Sequence, residues 1–147
     1  MFYSPLVYKA MRIAYEAHDG VYDKSGAPYI FHPFTVASDM EDEVSACVAL
    51  LHDVVEDTDV TFDDLRSRGI PESVIGPLML MTHDDDTPYM EYIEGIGTDP
   101  VATRVKLADL EHNMNRQRYC RPLNDYELQR EQKYQRAKDY LLSRRFD

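Results

Sequence analysis

The sequence predicts an all-α domain of seven or eight helices. Apolar residues recur at intervals of three and four along most of the chain, and no stretch alternates strictly enough to argue for a strand. Helix-start signals recur with them. Ser4-Pro5, Pro33, Thr61 followed by Asp64, Pro71, Thr87-Pro88 and Asp99-Pro100 each place a capping side chain or a proline where a first turn needs one. With 147 residues and 44% hydrophobic content the chain can bury one real core, so residues 1–147 are expected to form a single domain.

Taken in order, Pro5 opens a helix whose apolar set Leu6, Val7, Ala10, Ile13, Ala14 and Ala17 runs to a stop at Gly20. Residues 19–31, DGVYDKSGAPYIF, carry Gly, Asp, Ser and Pro and read as a loop. Pro33 begins a short helix, PFTVASDM, and residues 43–58 read as one continuous helix. Thr61 and Asp64 resemble a capping box for a short helix ending at Gly69. Pro71 starts ESVIGPLMLMT, with a kink expected at Pro77. After the acidic loop HDDDTP come the helix PYMEYIEGI and a longer one, VATRVKLADLEHNM. A last helix is expected from about Asp125 to Arg145, free to pack on the domain or to pair with a second copy in a homo-oligomer.

Composition excludes several functions. No run approaches the roughly 18 apolar residues of a membrane span, so no membrane role is expected. MFYSPLVYKA lacks the basic and apolar regions of a signal peptide. Cys47 and Cys120 fit neither a metal spacing nor a disulfide framework, Cys47 falling in an apolar helical pattern as a buried thiol, and the expected compartment is the cytoplasm. A net charge of −11 argues against general nucleic-acid binding. The charge is split: residues 1–100 carry 20 acidic and 5 basic side chains, residues 101–147 carry 7 and 11. An acidic part able to hold a cation meets a basic part able to hold an anion.

The stretch LLHDVVEDT concentrates the chemistry. With His52 at zero on a helical wheel, Glu56 falls near 40°, Asp53 near 100° and Asp57 near 140°, while apolar residues fill the opposite side. One face packs, and the other presents an imidazole and three carboxylates within about 6 Å of one another. On this helix alone the face is equally readable as solvated acidic surface. Partly buried, it needs a cation or raised pKa values, and a divalent metal answers both. Two other places offer ligands: His32 in FHP, and Asp109, set among Val105, Leu107, Ala108 and Leu110. Each alone has an ordinary reading, His32 as a cap or surface His and Asp109 as an ion-paired helix Asp. Together with His52 and Asp53 they make a His, His, Asp, Asp set.

The order HDG, KSGAPYIFHPFTVA, ALLHDVVEDT, LMLMT, KLADLEHN resembles the HD-domain hydrolases of the Rel/SpoT type, including the small stand-alone alarmone hydrolases and the metazoan SpoT homologue. The resemblance spans about residues 10–115. It implies a compact helical HD-domain bundle with one divalent ion, usually manganese, held by His32, His52, Asp53 and Asp109. It further implies that Glu56 and Asp57 orient and activate the attacking water, that Asn113 lies beside a nucleotide, and that Lys24 and Ser25 line its base and ribose side. Arg130 and Tyr134 on the last helix match a basic residue and a tyrosine found near the phosphates in small one-domain members. The implied reaction removes the 3′-pyrophosphate of guanosine 3′,5′-bis(diphosphate) or its pentaphosphate relative, giving GDP or GTP. The pattern departs at Asp23, where the family usually has Arg, and at Arg116, where relatives often have Thr and which could supply replacement charge.

Three readings follow from different classes: a metal-dependent nucleotide pyrophosphohydrolase; a silent domain that binds alarmone or a partner protein; and an HD phosphohydrolase for another nucleotide, such as an adenosine alarmone or the 2′-phosphate of NADPH. Intact Glu56, Asp57 and four ligands favour the first. Of the remaining histidines, His18 reads as a helix C-terminal cation or a packing residue, His83 as a surface residue, and His112 as structural.

Overall fold

The structure, a computed structural model, describes residues 1–146. Among the described residues it is all-helical: α1 (Pro5–Ala17), α2 (Phe31–Ser38), α3 (Glu43–Leu51), α4 (Val54–Asp57), α5 (Phe62–Ser67), α6 (Glu72–Met81), α7 (Tyr89–Ile96), α8 (Pro100–Asn113), a 3-10 turn at Arg116–Arg118, and α9 (Asp125–Ser143). An isolated antiparallel bridge joins Tyr22 to Pro28 within the loop after α1. No helix among the described residues is long and apolar enough to cross a membrane.

α3 is the axle. Every residue from Ser45 to Leu51 is buried, and α1, α2, α6 and α8 pack around it. Leu50, Leu51, Ile13, Ile75, Leu78 and Leu110 are among the largest fully buried side chains. Burying each contributes roughly 1.5–3 kcal/mol. α9 lies across α7 and α8, so the last helix packs on its own domain.

The expected helix over residues 43–58 divides at His52 and Asp53, which accounts for the ninth segment. Asp53 takes φ −103° and ψ −3°, in the sparsely used region between helix and strand. Periodicity could not reveal this break, because buried Val54 continues the apolar stripe beyond it. The cap signals hold: Ser4 accepts from Val7 N, Asp99 from Ala102 N, and Thr61 and Asp64 close a full capping box. Pro77 sits inside α6 as expected. Gly20, at φ +77°, makes the left-handed turn that leaves α1 for the loop.

A second capping box, unnoticed in the sequence, starts α9. Asn124 accepts from Glu127 N at 2.8 Å and Glu127 accepts from Asn124 N at 3.0 Å. Arg121 grips the same buried carboxylate at 2.7 and 3.1 Å. Arg121 first, then the Asn124 amide, hold the Glu127 carboxyl at about 2 against an ordinary value of 4.5. A depressed carboxyl stabilises the fold fully above its unfolded value and loses that contribution as pH falls toward the folded one. Glu127→Gln is therefore expected to lower the melting temperature near neutral pH. The gap from the parent should close as pH drops from about 4.5 toward about 2, which thermal unfolding across a pH series reads directly.

Candidate active site

Four side chains from three places converge. His32 lies in the first turn of α2 rather than in the preceding loop. His52 and Asp53 occupy the break between α3 and α4, and Asp109 comes from α8. His32 Nε2 is 2.8 Å from Asp109 Oδ1 and 3.8 Å from Asp53 Oδ2, and His52 Nε2 is 3.1 Å from Asp53 Oδ2 and 3.3 Å from Asp109 Oδ1. His32, His52 and Asp109 are each at most 4% exposed. On a straight helix the side chains of His52 and Asp53 would diverge by about 100°; the break turns them toward one point.

Each of the four is oriented from behind. His52 Nδ1 donates to Ala49 O at 2.6 Å, which directs Nε2 inward. His32 Nδ1 is 2.7 Å from His112 Nδ1. Burial first, then Arg118, push His112 down to about 4, so it is neutral and able to accept. Asp109 Oδ2 receives Lys106 Nζ at 2.8 Å, and its Oδ1 receives Asn113 Nδ2 at 3.0 Å. Tyr29 donates its hydroxyl to Asp53 Oδ2.

The donor set fits a divalent cation. His52 Nε2 is fully buried yet makes no aligned hydrogen bond to either carboxylate beside it. Two imidazole nitrogens and two carboxylate oxygens suit a borderline or hard divalent ion, and each imidazole has the outer partner that a ligand histidine requires. Without the ion, burial alone would lower the His52 imidazole, but Asp53 and Asp109 hold it well above 6.5. Burial likewise opposes ionisation of Asp109, and Lys106, His32 and His52 overcome it and keep the carboxyl well below its usual range.

Asp53 also belongs to a second group: Asp53, Glu56 and Asp57 bring carboxylate oxygens within 4.8 Å of one another. Glu56 Oε1 accepts from His83 N at 2.6 Å, which fixes one acid of the exposed pair. Burial, then Asp53 and Glu56, raise the Asp57 carboxyl to about 6. A carboxylate so placed can take a proton from water near neutral pH.

A cleft of about 330 Å³ opens between the loop after α1 and the C-terminal third of the chain. Lys24, Ser25, Asn113, Arg130 and Tyr134 all line it, together with Asp23, Tyr29, Arg118 and Tyr119. Arg130 donates to Tyr119 Oη at 2.7 Å, and Ser25 Oγ donates to the carbonyl of Arg118. Asp23, the departure from the family pattern, is a loop-forming residue. Its Oδ1 accepts from Ser25 N and Ala27 N, both at 2.9 Å, and its Oδ2 lies 3.7 Å from Arg118. The cation that faces Asp23 is Arg118, which the sequence reading missed, while the Arg116 guanidinium pairs with Glu131. Tyr29 and Lys106 were missed as well, although both lie inside the quoted motifs.

The other histidines are closer to the site than expected. His18 is buried and edge-on to Tyr29 at 5.0 Å, and burial lowers its pKa, so it is a packing residue and not a helix-end cation. His83 is half-buried and stacked on Tyr92 at 4.5 Å. His112 supports His32 directly.

A comparison with protein-family models finds no match. A GTP pyrophosphokinase of Streptomyces coelicolor is 32% identical over 146 residues, covering 90% of this chain and 16% of that protein. The guanosine-3′,5′-bis(diphosphate) 3′-pyrophosphohydrolase of Haemophilus influenzae is 35% identical over 75% of this chain and 18% of its own length. The solved structure of a metazoan SpoT orthologue, described as hydrolysing ppGpp, superposes with a TM-score of 0.78 at 25% identity, over 98% of this chain and 89% of that one. The chain is a homologue of the Rel/SpoT-type proteins. It spans less than a fifth of the length of these curated relatives, whereas the metazoan SpoT orthologue matches it over nearly its whole extent, with the same all-helical HD-type fold.

Asp109 carries a load that exposed acids of this Rel/SpoT-type fold do not. It compensates Lys106, whose side chain is 13% exposed, and both histidines. Asp109→Ala is expected to destabilise the metal-free protein by about 3 kcal/mol, the cost of leaving a buried charge unpaired. Glu72→Ala, which breaks the exposed pair with Arg66, should leave the unfolding midpoint nearly unchanged. Urea unfolding of the two variants in chelator compares them.

Proposed function

We propose that the chain is a metal-dependent pyrophosphohydrolase of guanosine 3′,5′-bis(diphosphate) and its pentaphosphate relative, acting as one HD-type domain in the cytoplasm and releasing pyrophosphate with GDP or GTP. The observation that carries it is the juxtaposition of buried His32, His52 and Asp109, with half-buried Asp53 beside them, and a cleft lined by all five residues assigned to the nucleotide. Manganese is the proposed ion; when bound, it would supply the charge that acidifies water and polarises a phosphoryl oxygen. His32, His52, Asp53 and Asp109 hold it. Asp57 takes the proton from the attacking water, and Glu56, fixed by the His83 amide, orients that water. Arg130 and Tyr134 face the phosphates and balance charge that develops there, while Lys24, Ser25 and Asn113 place the nucleoside.

The test is release of pyrophosphate and phosphate from purified protein with Mn²⁺, offered guanosine tetraphosphate, its adenosine analogue and NADPH in parallel. Pyrophosphate from the guanosine compound is expected. Glu56→Gln and Asp57→Asn should each lower kcat by at least about 100-fold with Mn²⁺ still bound, and Asp53→Ala should lose both metal and turnover. Phosphate from NADPH alone would change the substrate and keep the site. Full turnover in Asp57→Asn would remove Asp57 from the chemistry.

A further inference from the structure

Two side chains belong at once to the cleft and to the ligand cluster. Tyr29 lines the cleft and donates its hydroxyl to Asp53 Oδ2. Asn113 lines the cleft and donates Nδ2 to Asp109 Oδ1 at 3.0 Å. They stand on different elements, the loop before α2 and the end of α8, and each reaches a different carboxylate of the cluster.

Both side chains have other neighbours as well. The Tyr29 ring is wedged between His18, edge-on at 5.0 Å, and His32 at 5.7 Å. Asn113 Oδ1 is approached by Arg118 Nη1 at 3.4 Å, and the same nitrogen donates to His112 O at 3.0 Å. A phenol has one proton to give. With it committed to Asp53, the Tyr29 oxygen can only accept from anything in the cleft, and a sugar hydroxyl is a donor of the right kind. Such a bond polarises the next one in the chain, so a donor from the ligand strengthens the Tyr29 bond to Asp53.

We propose that Tyr29, with Asn113 beside it, is a positioning residue that links occupancy of the cleft by a nucleoside to the affinity of the cluster for its divalent ion. The inference rests on the metal and nucleotide reading given above. Linkage is reciprocal: whatever tightens the ion when nucleoside is bound tightens nucleoside by the same factor when the ion is bound. Outer partners of metal ligands are worth about 10–100-fold in metal affinity.

The experiment titrates Mn²⁺ into the full chain while free Mn²⁺ is followed by electron paramagnetic resonance. It is run with and without guanosine, which has no phosphate to chelate the ion. Tyr29→Phe keeps the ring and removes the hydroxyl, and Asn113→Ala removes the second bridge. Tyr22→Phe alters another cleft tyrosine, one that is 64% exposed. Circular dichroism melts establish that each variant is folded. Guanosine is expected to tighten Mn²⁺ binding in the parent. Tyr29→Phe should weaken Mn²⁺ by about 10-fold and lose most of the guanosine effect, Asn113→Ala should show a smaller loss, and Tyr22→Phe should match the parent in Mn²⁺ affinity. Equal Mn²⁺ affinity in Tyr29→Phe and the parent overturns the positioning role, and a parent indifferent to guanosine overturns the linkage. A protein that shows the linkage but releases no pyrophosphate keeps this inference and loses the proposed reaction.

Discussion

The structure depends on matching charge where water has been removed. Asp109, Asp53, Lys106, His32 and His52 meet at the end of α3, whose residues from Ser45 to Leu51 are all buried and where an unpaired ion would cost several kcal/mol. No single pair balances this group. Lys106 answers one oxygen of Asp109 and the histidines crowd the other, while Asp53 is met by His52 and by the Tyr29 hydroxyl. Asp53 and Asp109 hold the His52 imidazole above its ordinary range, and a ligand imidazole must be neutral, so protons and a divalent ion compete for the same donor set.

That constraint explains the division of the acidic stretch. The four converging side chains are buried or nearly so, held by partners that leave them little freedom, while Glu56 and Asp57 face solvent one turn further on. A continuous helix would have kept the two groups on a single stripe. The break at His52 and Asp53 turns one pair inward and leaves the next pair at the opening. The charge asymmetry of the chain acquires a meaning here. The acidic first hundred residues supply His32, His52 and Asp53 and one wall of the cleft, and the basic remainder supplies Asp109 to the cluster and Arg118 and Arg130 to the other wall.

Much of this was legible in sequence, for identifiable reasons. Helix starts were legible because prolines and capping side chains act within one turn, as at Ser4, Thr61 and Asp99. His52 and Asp53 stood out because polar groups interrupt an apolar run. The capping box at Asn124 was missed in a polar segment where no hydrophobic pattern drew attention to it. The helix break was invisible because Val54 keeps the apolar period. Tyr29 and Lys106 were passed over because their importance lies in partners 24 and 3 residues away, and only the fold selects those from many candidates.

Asp23 shows the same limit from the other side. As a charge in a sequence it looks like a loss, an acid where the resemblance leads one to expect a cation. In the fold its first oxygen is consumed by two backbone amides of the turn that presents Lys24 and Ser25, and its second faces Arg118. Arg118 is anchored in turn by the carbonyl at the end of α8 and by Ser25 reaching its own carbonyl. Loop and 3-10 turn are thereby stapled across one end of the cleft, where Asp23 and Arg118 offset each other's charge. Arg130 remains without a carboxylate partner among the described residues, stacked on Tyr126 and Tyr134. An anionic ligand entering such a cleft is drawn toward Arg130, with its uncharged part left to the stapled end. Asp23 therefore orders the loop and pairs with Arg118, and leaves Arg130 on the last helix untouched.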